Sequence, residues 1–208
     1  SDVCSSDLVP ALLEGIEASN YENATPVQEQ VIPPIMAGHD VIASAQTGTG
    51  KTAAFLLPVM NQLLKQHVDG IVGALIIVPT RELAIQISQH IEGLSYFTNL
   101  SSIAIYGGSD AQNFVAEKKA LQLGADIIVC TPGRMIAHLN MGYVNFKQLR
   151  FLVLDEADRM LDMGFQDDIN KILNHLPAKR QNLLFSATMP EKIRALARKI
   201  LQIGRAHV

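Results

Sequence analysis

A short glycine-rich segment near residue 50 restricts the possible fold more than any other feature of this chain. Residues 45–52 read Ala-Gln-Thr-Gly-Thr-Gly-Lys-Thr; an apolar run precedes them at 41–43 and a helical pattern follows at 53–57. A strand, a glycine-rich loop and a helix that begins with Lys-Thr form a cradle, because backbone N–H groups and the helix N-terminus converge there on phosphate oxygens. We expect Lys51 to reach the β- and γ-phosphates of a nucleotide and the Thr52 hydroxyl to bind Mg²⁺. Ala45 stands where the usual motif has Gly, so the loop by itself predicts a nucleotide phosphate site and nothing finer.

An acidic segment follows a second apolar run and indicates a reaction. Residues 151–154 read Phe-Leu-Val-Leu, which is typical of a strand buried on both faces, and Asp155, Glu156 and Asp158 come after them. Acids at the tip of a parallel strand lie where α/β sheets bind their ligands. We predict that Asp155 holds Mg²⁺ through its water shell and that Glu156 accepts a proton from an attacking water, with Lys51 completing the catalytic set. The alternative is a helix N-terminus that carries acids to suit its dipole, and for Asp158 alone that alternative is the better one.

The rest of the chain alternates short apolar runs with helical patterns. Runs rich in Ile, Val and Leu predict strands at 40–45, 74–78, 102–106, 126–130, 151–154 and 182–186. Helical patterns lie at 10–18 and 26–36 before the first strand, and at 51–66, 82–95, 110–123, 133–141, 166–174 and 191–202 after it. Alternation of this kind implies a mainly parallel sheet with right-handed crossovers, and therefore helices on both faces. The predicted fold class is α/β, with one three-layer α/β/α domain.

Composition agrees with a covered sheet and excludes several other classes of protein. Of the 208 residues, 48% are hydrophobic and 18% are charged, which is not the balance of a disordered or coiled-coil chain. No apolar run reaches the length of a membrane span and no secretory signal is recognisable, so we expect a cytoplasmic protein without a membrane partner. The 2 cysteines cannot form a disulfide framework, and the histidines lack the spacing of a transition-metal site. A net charge of −3 argues mildly against a nucleic-acid partner, although a local basic patch is compatible with that average.

These segments together resemble the DEAD-box ATP-dependent RNA helicases. The phosphate loop, Asp-Glu-Ala-Asp at 155–158 and Ser-Ala-Thr at 186–188 occur in that family's order and approximate spacing. Thr-Pro-Val-Gln at 25–28 is similar to the family's adenine-reading glutamine motif. The resemblance runs from about Leu12 to Leu201, and several motifs in register are far more specific than any one of them. Residues 161–165 and 179–181 resemble bacterial members of the RhlE kind.

The resemblance implies an ATP- and Mg²⁺-dependent enzyme built on the first RecA-like domain of the helicase core. It assigns Gln28 to the N6 and N7 edge of adenine, a role that suits an amide because an amide both donates and accepts; composition alone would favour a solvated glutamine. Residues 20–24 depart from the family pattern, and the aromatic residue expected further upstream would fall near Val3, so we expect weak stacking of the adenine. The residues expected to bind ATP and magnesium are Thr25, Gln28, Ala45, Gln46, Thr47, Gly48, Thr49, Gly50, Lys51, Thr52 and Asp155.

Three further segments resemble the RNA-contacting motifs of the family, and each follows a predicted strand. They are Pro79, Thr80 and Arg81; Gly107 and Gly108; and Thr131, Pro132, Gly133 and Arg134. Their N–H groups, hydroxyls and arginines would form one rim at a single end of the sheet, and such a rim can follow the sugar–phosphate backbone of RNA without reading bases. For Thr80 or Thr131 alone, capping of the following helix is an equally good interpretation.

The Ser-Ala-Thr segment is expected to link the acidic segment to RNA. Ser186, Ala187 and Thr188 end a predicted strand and are placed to bond to the acids at 155–158, Asp158 included. In the family this segment couples ATP hydrolysis to strand separation. Its alternative is a helix N-cap before Met189 and Pro190, and the two roles are compatible.

The two ends of the chain are related in an unusual way. The string ATC GGA AGA GCA CAC GTC encodes residues 203–208, and its reverse complement encodes residues 2–7. We therefore expect residues 1–8 and 203–208 to be adapter-like foreign tails and residues 9–202 to be the natural domain. The family also has a second RecA-like domain, which supplies arginines to the transferring phosphoryl group, and nothing after Leu201 encodes it. The expectation is a monomeric, truncated half that has little activity alone.

The predicted function is the ATP-binding half of an ATP-dependent RNA helicase that separates or remodels RNA duplexes. Two alternatives remain. A P-loop ATPase or translocase that acts in transport or on DNA would share the phosphate loop, but Gln28 and the segment at 186–188 argue against it. A non-catalytic ATP- or RNA-binding module would share the fold, but the joint presence of Lys51, Thr52, Asp155 and Glu156 argues against that.

Overall fold

In a computed structural model, which describes residues 7–108 and 111–201, the chain forms a six-stranded sheet with helices on both faces. The strands are β1 Val41–Ser44, β2 Ala74–Ile77, β3 Ser102–Ile105, β4 Ile127–Cys130, β5 Phe151–Leu154 and β6 Gln181–Ser186. The helices are α1 Pro10–Ala18, α2 Pro26–Met36, α3 Lys51–Lys65, α4 Arg81–Ser95, α5 Ala111–Leu123, α6 Pro132–Asn140, α7 Ala157–Asp162, α8 Gln166–Leu173 and α9 Glu191–Leu201. All strands run parallel in the order β1-β6-β5-β2-β4-β3, so the predicted α/β class is confirmed.

The central strands are apolar throughout because helices cover both of their faces. β2, β4 and β5 are buried at every position. Their side chains still alternate between two cores: Ala74 and Ile76 belong to one, and Leu75 and Ile77 belong to the other. A sheet covered on both faces therefore needs no polar alternation, which is why the sequence shows none.

The two cores divide the helices between the faces of the sheet. On one face, α1–α4 pack around Phe55 and Ile87, and Phe55 also contacts Phe185 of β6 with ring centroids 5.2 Å apart. On the other face, α5–α9 pack around Met135 and Ile193. Each fully buried side chain of this kind stabilises the fold by about 1.5–3 kcal/mol relative to exposure, so the two cores together stabilise the sheet.

All strands end at the same edge of the sheet because all of them run parallel. We call it the carboxyl edge; the strands end there at Ser44, Ile77, Ile105, Cys130, Leu154 and Ser186. Every segment predicted to contact phosphate, magnesium or RNA begins just beyond one of these residues, except Thr25 and Gln28, which open α2. The topology thus brings together motifs that are scattered along the sequence.

The first described residues pack against the domain. Asn61 of α3 accepts a hydrogen bond from the Val9 N–H at 2.8 Å and donates to the Asp7 carbonyl at 3.3 Å, and Leu8 packs against the first core. The predicted foreign tails fall largely outside the described residues, as does the position near Val3: residues 1–6 and 203–208 are not among them. In the part of the chain that the structure describes, no helix is long and apolar enough to cross a membrane.

Candidate functional site

The phosphate loop lies at the carboxyl edge between β1 and α3. Gly48 and Gly50 have φ values of 82° and 80°, a left-handed conformation that glycine adopts without strain. The Thr49 hydroxyl closes the turn by donating to the Gln46 carbonyl at 2.6 Å. Gln46, Thr47, Gly48 and Thr49 are exposed, whereas Ala45 is buried and its N–H donates to the Ser186 carbonyl at 3.1 Å. The loop therefore presents its backbone to solvent on a fixed base, as a phosphate cradle requires.

Lys51 and Asp155 form a buried ion pair beside this loop. The Lys51 ammonium lies 3.0 Å from Oδ1 of Asp155 and 3.9 Å from Oε1 of Glu156. Lys51 is 5% exposed and Asp155 is 0% exposed. Burial raises the pKa of Asp155, and the positive charge of Lys51 offsets part of that rise. Thr52, the next residue of α3, is half-buried.

One oxygen of Asp155 has no partner. Oδ1 accepts hydrogen bonds from Lys51 and, at 2.9 Å, from the Glu156 N–H. Oδ2 is the one buried side-chain nitrogen or oxygen without a hydrogen-bond partner among the residues that the structure describes. Buried polar groups are almost always paired, so this oxygen marks a site for a further ligand. Carboxylate and hydroxyl oxygens are the donors that hard divalent cations prefer, and Asp155 with Thr52 therefore fits a Mg²⁺ site.

Glu156 has a strained backbone at the start of α7. Its φ of 52° and ψ of 49° are left-handed, a conformation that costs a non-glycine residue about 1–3 kcal/mol. Its carboxylate lies between two cations, with Oε1 near Lys51 and Oε2 3.3 Å from Arg159, and the side chain remains 14% exposed. Strain of this kind persists where the surrounding structure enforces it, and it clusters at active sites.

Gln28 is buried and holds the phosphate loop to α2. Its side-chain oxygen accepts from the Thr25 N–H at 3.0 Å, and its amide nitrogen donates to the Gly50 carbonyl at 3.0 Å. The Thr25 hydroxyl completes a capping box by accepting from the Gln28 N–H. A Cβ at position 50 would lie 2.7 Å from the Gln28 amide nitrogen, so this close approach requires glycine. The solvated alternative for Gln28 is wrong, since the residue is 4% exposed, and its amide keeps one further hydrogen and one further lone pair for a ligand.

An open cleft of about 590 Å³ lies between the start of α2, the phosphate loop and the end of β6. Its volume is in the range of small-molecule sites. It brings the glutamine motif, the phosphate loop and the Ser-Ala-Thr segment around one space, which is lined by Thr25, Pro26, Val27, Ser44, Ala45, Gln46, Gly48, Thr49 and Ala187.

Asp158 ties α7 to the end of β6. Its Oδ2 accepts hydrogen bonds from the Thr188 N–H at 3.1 Å and the Thr188 hydroxyl at 2.9 Å, and its own N–H donates to the Ser186 hydroxyl at 3.2 Å. Burial would raise the pKa of Asp158, but hydrogen bonds from Thr188 and from the Arg159 N–H outweigh it and lower that pKa. Asp158 thus links the acidic segment at 155–158 to the segment at 186–188, as expected. Asp158 also lies in the first turn of α7, as the alternative of a helix N-terminus that carries acids had it.

The first part of the predicted rim follows β2 and β3. Thr80 caps α4, with its hydroxyl accepting from the Leu83 N–H at 3.3 Å, while Pro79 is buried and Arg81 is exposed. The Arg81 guanidinium lies over the Tyr106 ring at 5.2 Å, and a Cβ at Gly108 would lie 3.3 Å from it. Gly107 is exposed. Because Arg81 contacts Tyr106 and lies close to Gly108, the segments at 79–81 and 107–108 adjoin at the carboxyl edge.

The second part of the rim follows β4, and residues that we did not predict support it. Thr131 is the N-cap of α6 without a side-chain cap bond, Pro132 is buried at the first turn, and Gly133 is exposed. Arg134 donates to Glu117 of α5 at 2.8 Å and lies 4.7 Å over the Phe114 ring. The same Glu117 oxygen lies 2.6 Å from His138, which is fully buried and is bonded to Tyr143.

Glu117 and His138 were missed because their role depends on the contact between α5 and α6. The sequence places Phe114, Glu117 and Leu121 at helical spacing. That pattern predicts that they share one helix face, but it does not say which element packs against this face. The structure supplies that partner in α6, and the network fixes the direction of Arg134.

Comparisons with known proteins agree with this geometry. A profile of the DEAD/DEAH box helicase family matches residues 25–196. The chain is 46% identical over 190 residues to the ATP-dependent RNA helicase CshA of Listeria monocytogenes, covering 91% of this chain and 36% of that protein. It is 44% identical over 195 residues to the DEAD-box ATP-dependent RNA helicase RhpA of Helicobacter pylori, covering 94% and 38%. The crystal structure of a DEAD box protein from Methanococcus jannaschii is similar with a TM-score of 0.85 and 41% identity, covering 93% of this chain and 52% of the other. The chain thus spans well under half the length of these curated relatives.

Proposed function

The chain belongs to the DEAD/DEAH box helicase family, and from this premise we propose that it is the ATP-binding RecA-like domain of an ATP-dependent RNA helicase. The observation that carries the proposal is the meeting of Lys51, Asp155 and Glu156 beside an exposed phosphate loop. A lysine and two carboxylates in different environments at the end of a parallel sheet suit phosphoryl transfer to water. The relatives named above are longer proteins, and this chain spans only 36% and 38% of two of them. The activity of a whole helicase is therefore part of this proposal.

Different residues of this chain have different roles in the proposed hydrolysis of ATP. The loop N–H groups and Lys51 bind the phosphates, and Lys51 exchanges Asp155 for phosphate oxygens when ATP arrives. Thr52 and Asp155 would hold Mg²⁺, which would supply neutralisation of phosphate charge. Glu156 orients the attacking water and accepts its proton, because its carboxylate is partly exposed beside Lys51. Gln28, which bonds to Thr25 beside the 590 Å³ cleft, uses its remaining amide hydrogen and lone pair for the adenine edge.

RNA is the proposed second ligand. The rim formed by residues 79–81, 107–108 and 131–134 would follow the backbone through exposed N–H groups, Arg81 and Arg134. Asp158 would transmit the state of the acidic segment to Thr188 and Ser186 through the hydrogen bonds described above. A second RecA-like domain of the family would close the other side of both ligands.

Finer assignments belong to the same proposal. The segments at 161–165 and 179–181 support an RhlE-like subgroup, whereas the relatives named above carry other names. The protein is proposed to act as a cytoplasmic monomer. Residues 1–8 and 203–208 are proposed to be foreign to the natural domain, and sequencing the source gene across both ends tests this.

Calorimetric titration with Mg-ADP tests the nucleotide site. Lys51→Ala should abolish measurable binding because it deletes the charge aimed at phosphate, while Glu156→Gln should bind as the unchanged chain does. In a protein that joins this domain to a second RecA-like domain of the family, Glu156→Gln should abolish turnover. Hydrolysis should rise with single-stranded RNA and stay unchanged with DNA; stimulation by DNA alone would instead support a DNA translocase, and failure to bind nucleotide would support a non-catalytic module.

A further inference from the structure

A second polar cleft lies at the edge of the sheet opposite to the nucleotide site. We call this edge, where the strands begin, the amino edge. The cleft is open, has a volume of about 750 Å³, and is formed mainly by the loops that lead into β5 and β6. Its basic residues are Lys147, Arg150, Lys179 and Arg180. None of these was assigned a role by the sequence motifs.

The positive charge of this cleft is local and is not balanced along the chain. Residues 141–154 and 169–190 contain no Asp or Glu, although the chain as a whole has a net charge of −3. β5 and β6 are neighbours, with Phe151 paired to Gln181, and the Gln181 N–H donates to the Arg150 carbonyl at 2.8 Å. Because Arg150 and Arg180 directly precede these paired residues, the sheet register sets the two arginines side by side.

Both arginines are held in place by neutral partners. Arg150 donates to the Gln62 carbonyl at 3.1 Å, and Arg180 donates to the Pro177 carbonyl at 2.7 Å and to the Asn182 side chain at 2.8 Å. Each is half-buried, and burial lowers the pKa of both guanidinium groups, an effect that the charge of Asp40 partly offsets for Arg180. The carboxylate of Asp40 is itself occupied, because its two oxygens accept from the backbone and side-chain nitrogens of Asn182 at 2.7 and 3.1 Å.

The two lysines extend this fixed charge into solvent. Lys147 and Lys179 are exposed, and their ammonium groups make no ion pair among the residues that the structure describes. Two guanidinium groups held by hydrogen bonds, next to an Asp40 that Asn182 occupies and flanked by exposed ammonium groups, are suited to phosphate oxygens. No Phe, Tyr or Trp ring is exposed among the lining residues, and the imidazole of His39 is the one exposed ring there, so the cleft mainly offers contacts to a backbone.

We propose that the amino-edge cleft binds the sugar–phosphate backbone of single-stranded RNA as a second contact, separate from the rim at the carboxyl edge. This inference rests on the proposed function, which already brings RNA to the domain. A six-residue strand such as β6 spans about 20 Å, so an RNA held at both edges passes around the side of the domain. Binding at the first edge raises the effective concentration of phosphate at the second, and a weak basic cleft then contributes to affinity.

Salt-dependent binding of a fluorescent single-stranded oligouridine tests the proposal. The variant with Lys147→Ala and Lys179→Ala removes two charges and spares both arginines, whose hydrogen bonds support the fold. We expect the slope of log Kd against log salt to fall by about 1.4, since each contact with single-stranded phosphate accounts for roughly 0.7. Lys119→Ala with Lys171→Ala is the matched control; both lysines are exposed on α5 and α8, and this pair should leave the slope unchanged.

Crosslinking separates failure of this inference from failure of the proposed function. Oligouridine that contains 4-thiouridine should crosslink to peptides from 141–154 or 177–182 as well as to the carboxyl-edge rim, and the double variant should lose only the first set. If the unchanged chain binds no RNA, the proposed RNA function and this inference both fail. If it binds RNA with crosslinks at the rim alone, and the double variant keeps the full salt slope, only the inference fails. An equal fall in slope for the control pair also overturns the inference. So does a double variant that loses binding of oligo-glutamate while its RNA binding is unchanged. That outcome would assign the cleft to an acidic protein segment.

Discussion

Lys51 and Asp155 matter both for the stability of the domain and for the proposed ligand site, because each depends on the other. Their ion pair joins the first turn of α3 to the end of β5 in a position without solvent access. A buried pair of this kind contributes little net stability, but removal of one partner is strongly destabilising because the other charge is left uncompensated. The motif predicts the identity of both residues, whereas the unpaired Oδ2 of Asp155 depends on which groups surround it in the folded domain.

Lys51→Met should destabilise the domain in a pH-dependent way. The loss should reach about 3–5 kcal/mol when the carboxylate is ionised. Burial raises the pKa of Asp155, and removal of the lysine charge should raise it further. A carboxyl whose folded-state pKa lies above its unfolded value destabilises the fold above that folded pKa, and the penalty fades as pH falls toward the unfolded value. Urea unfolding should therefore show a smaller difference from the unchanged chain at about pH 5 than at about pH 8. Lys65→Met, at the end of α3, is the control, and an equal loss at both pH values would contradict the prediction.

Cys130 should be unreactive in the folded domain. Its thiol lies in β4 with no exposed surface, and burial raises its pKa, so the reactive thiolate is suppressed. In a Cys4→Ser background, iodoacetamide should label Cys130 only after unfolding in urea. Labelling of the folded chain at the rate of a free thiol would show that β4 opens readily or that the thiol is accessible.

At the scale of elements, the prediction succeeded where a pattern is local and failed where geometry comes from contacts. Residues 26–36 were predicted as a helix from their local pattern, and α2 has those bounds, with Thr25 and Gln28 forming a capping box at its start. The apolar runs predicted every strand of the sheet to within one or two residues. α7 was not predicted, because a six-residue helix that begins at a left-handed glutamate carries no periodic signal. The strand order was likewise beyond the sequence, since equally apolar runs do not specify their neighbours.

Gln28→Leu tests the contact between α2 and the phosphate loop. The substitution keeps the bulk of the side chain but removes the hydrogen bonds to Thr25 and Gly50, so the loop should lose its anchor. We expect the affinity for inorganic tripolyphosphate, which has no base, to fall along with that for ADP. Calorimetry on both ligands measures this, with exposed Gln30→Leu in the same helix as the control. If only the preference for ADP over GDP disappears while tripolyphosphate binds as before, Gln28 acts on the adenine alone.

At the scale of the whole domain, the parallel sheet separates two polar edges with different charge. The carboxyl edge combines Lys51 with Asp155 and Glu156, and the amino edge gathers the four basic residues of the second cleft. The first edge was predictable because its motifs, apart from Thr25 and Gln28 at the start of α2, directly follow apolar runs. The second was not, because it arises only from the placement of β6 beside β5.

The purified 208-residue chain should fold cooperatively, bind Mg-ADP weakly and hydrolyse ATP very slowly. The two cores and the six-stranded parallel sheet support folding, whereas in the proposed site Lys51, Thr52, Asp155 and Glu156 would approach the γ-phosphate from one side only. On the other side water would screen the charge that develops during transfer, and an arginine supplied there is worth about 10³–10⁵ in rate in related NTPases. Joining a second RecA-like domain of the family through a flexible linker should therefore raise RNA-stimulated turnover by orders of magnitude and permit duplex unwinding.

Steady-state hydrolysis and a fluorescent unwinding assay measure both effects, and Glu156→Gln in the joined protein controls for contaminating host enzymes. Robust unwinding by the single domain would show that the opposite side of the phosphate needs no arginine, and the division of labour between two domains would then be wrong.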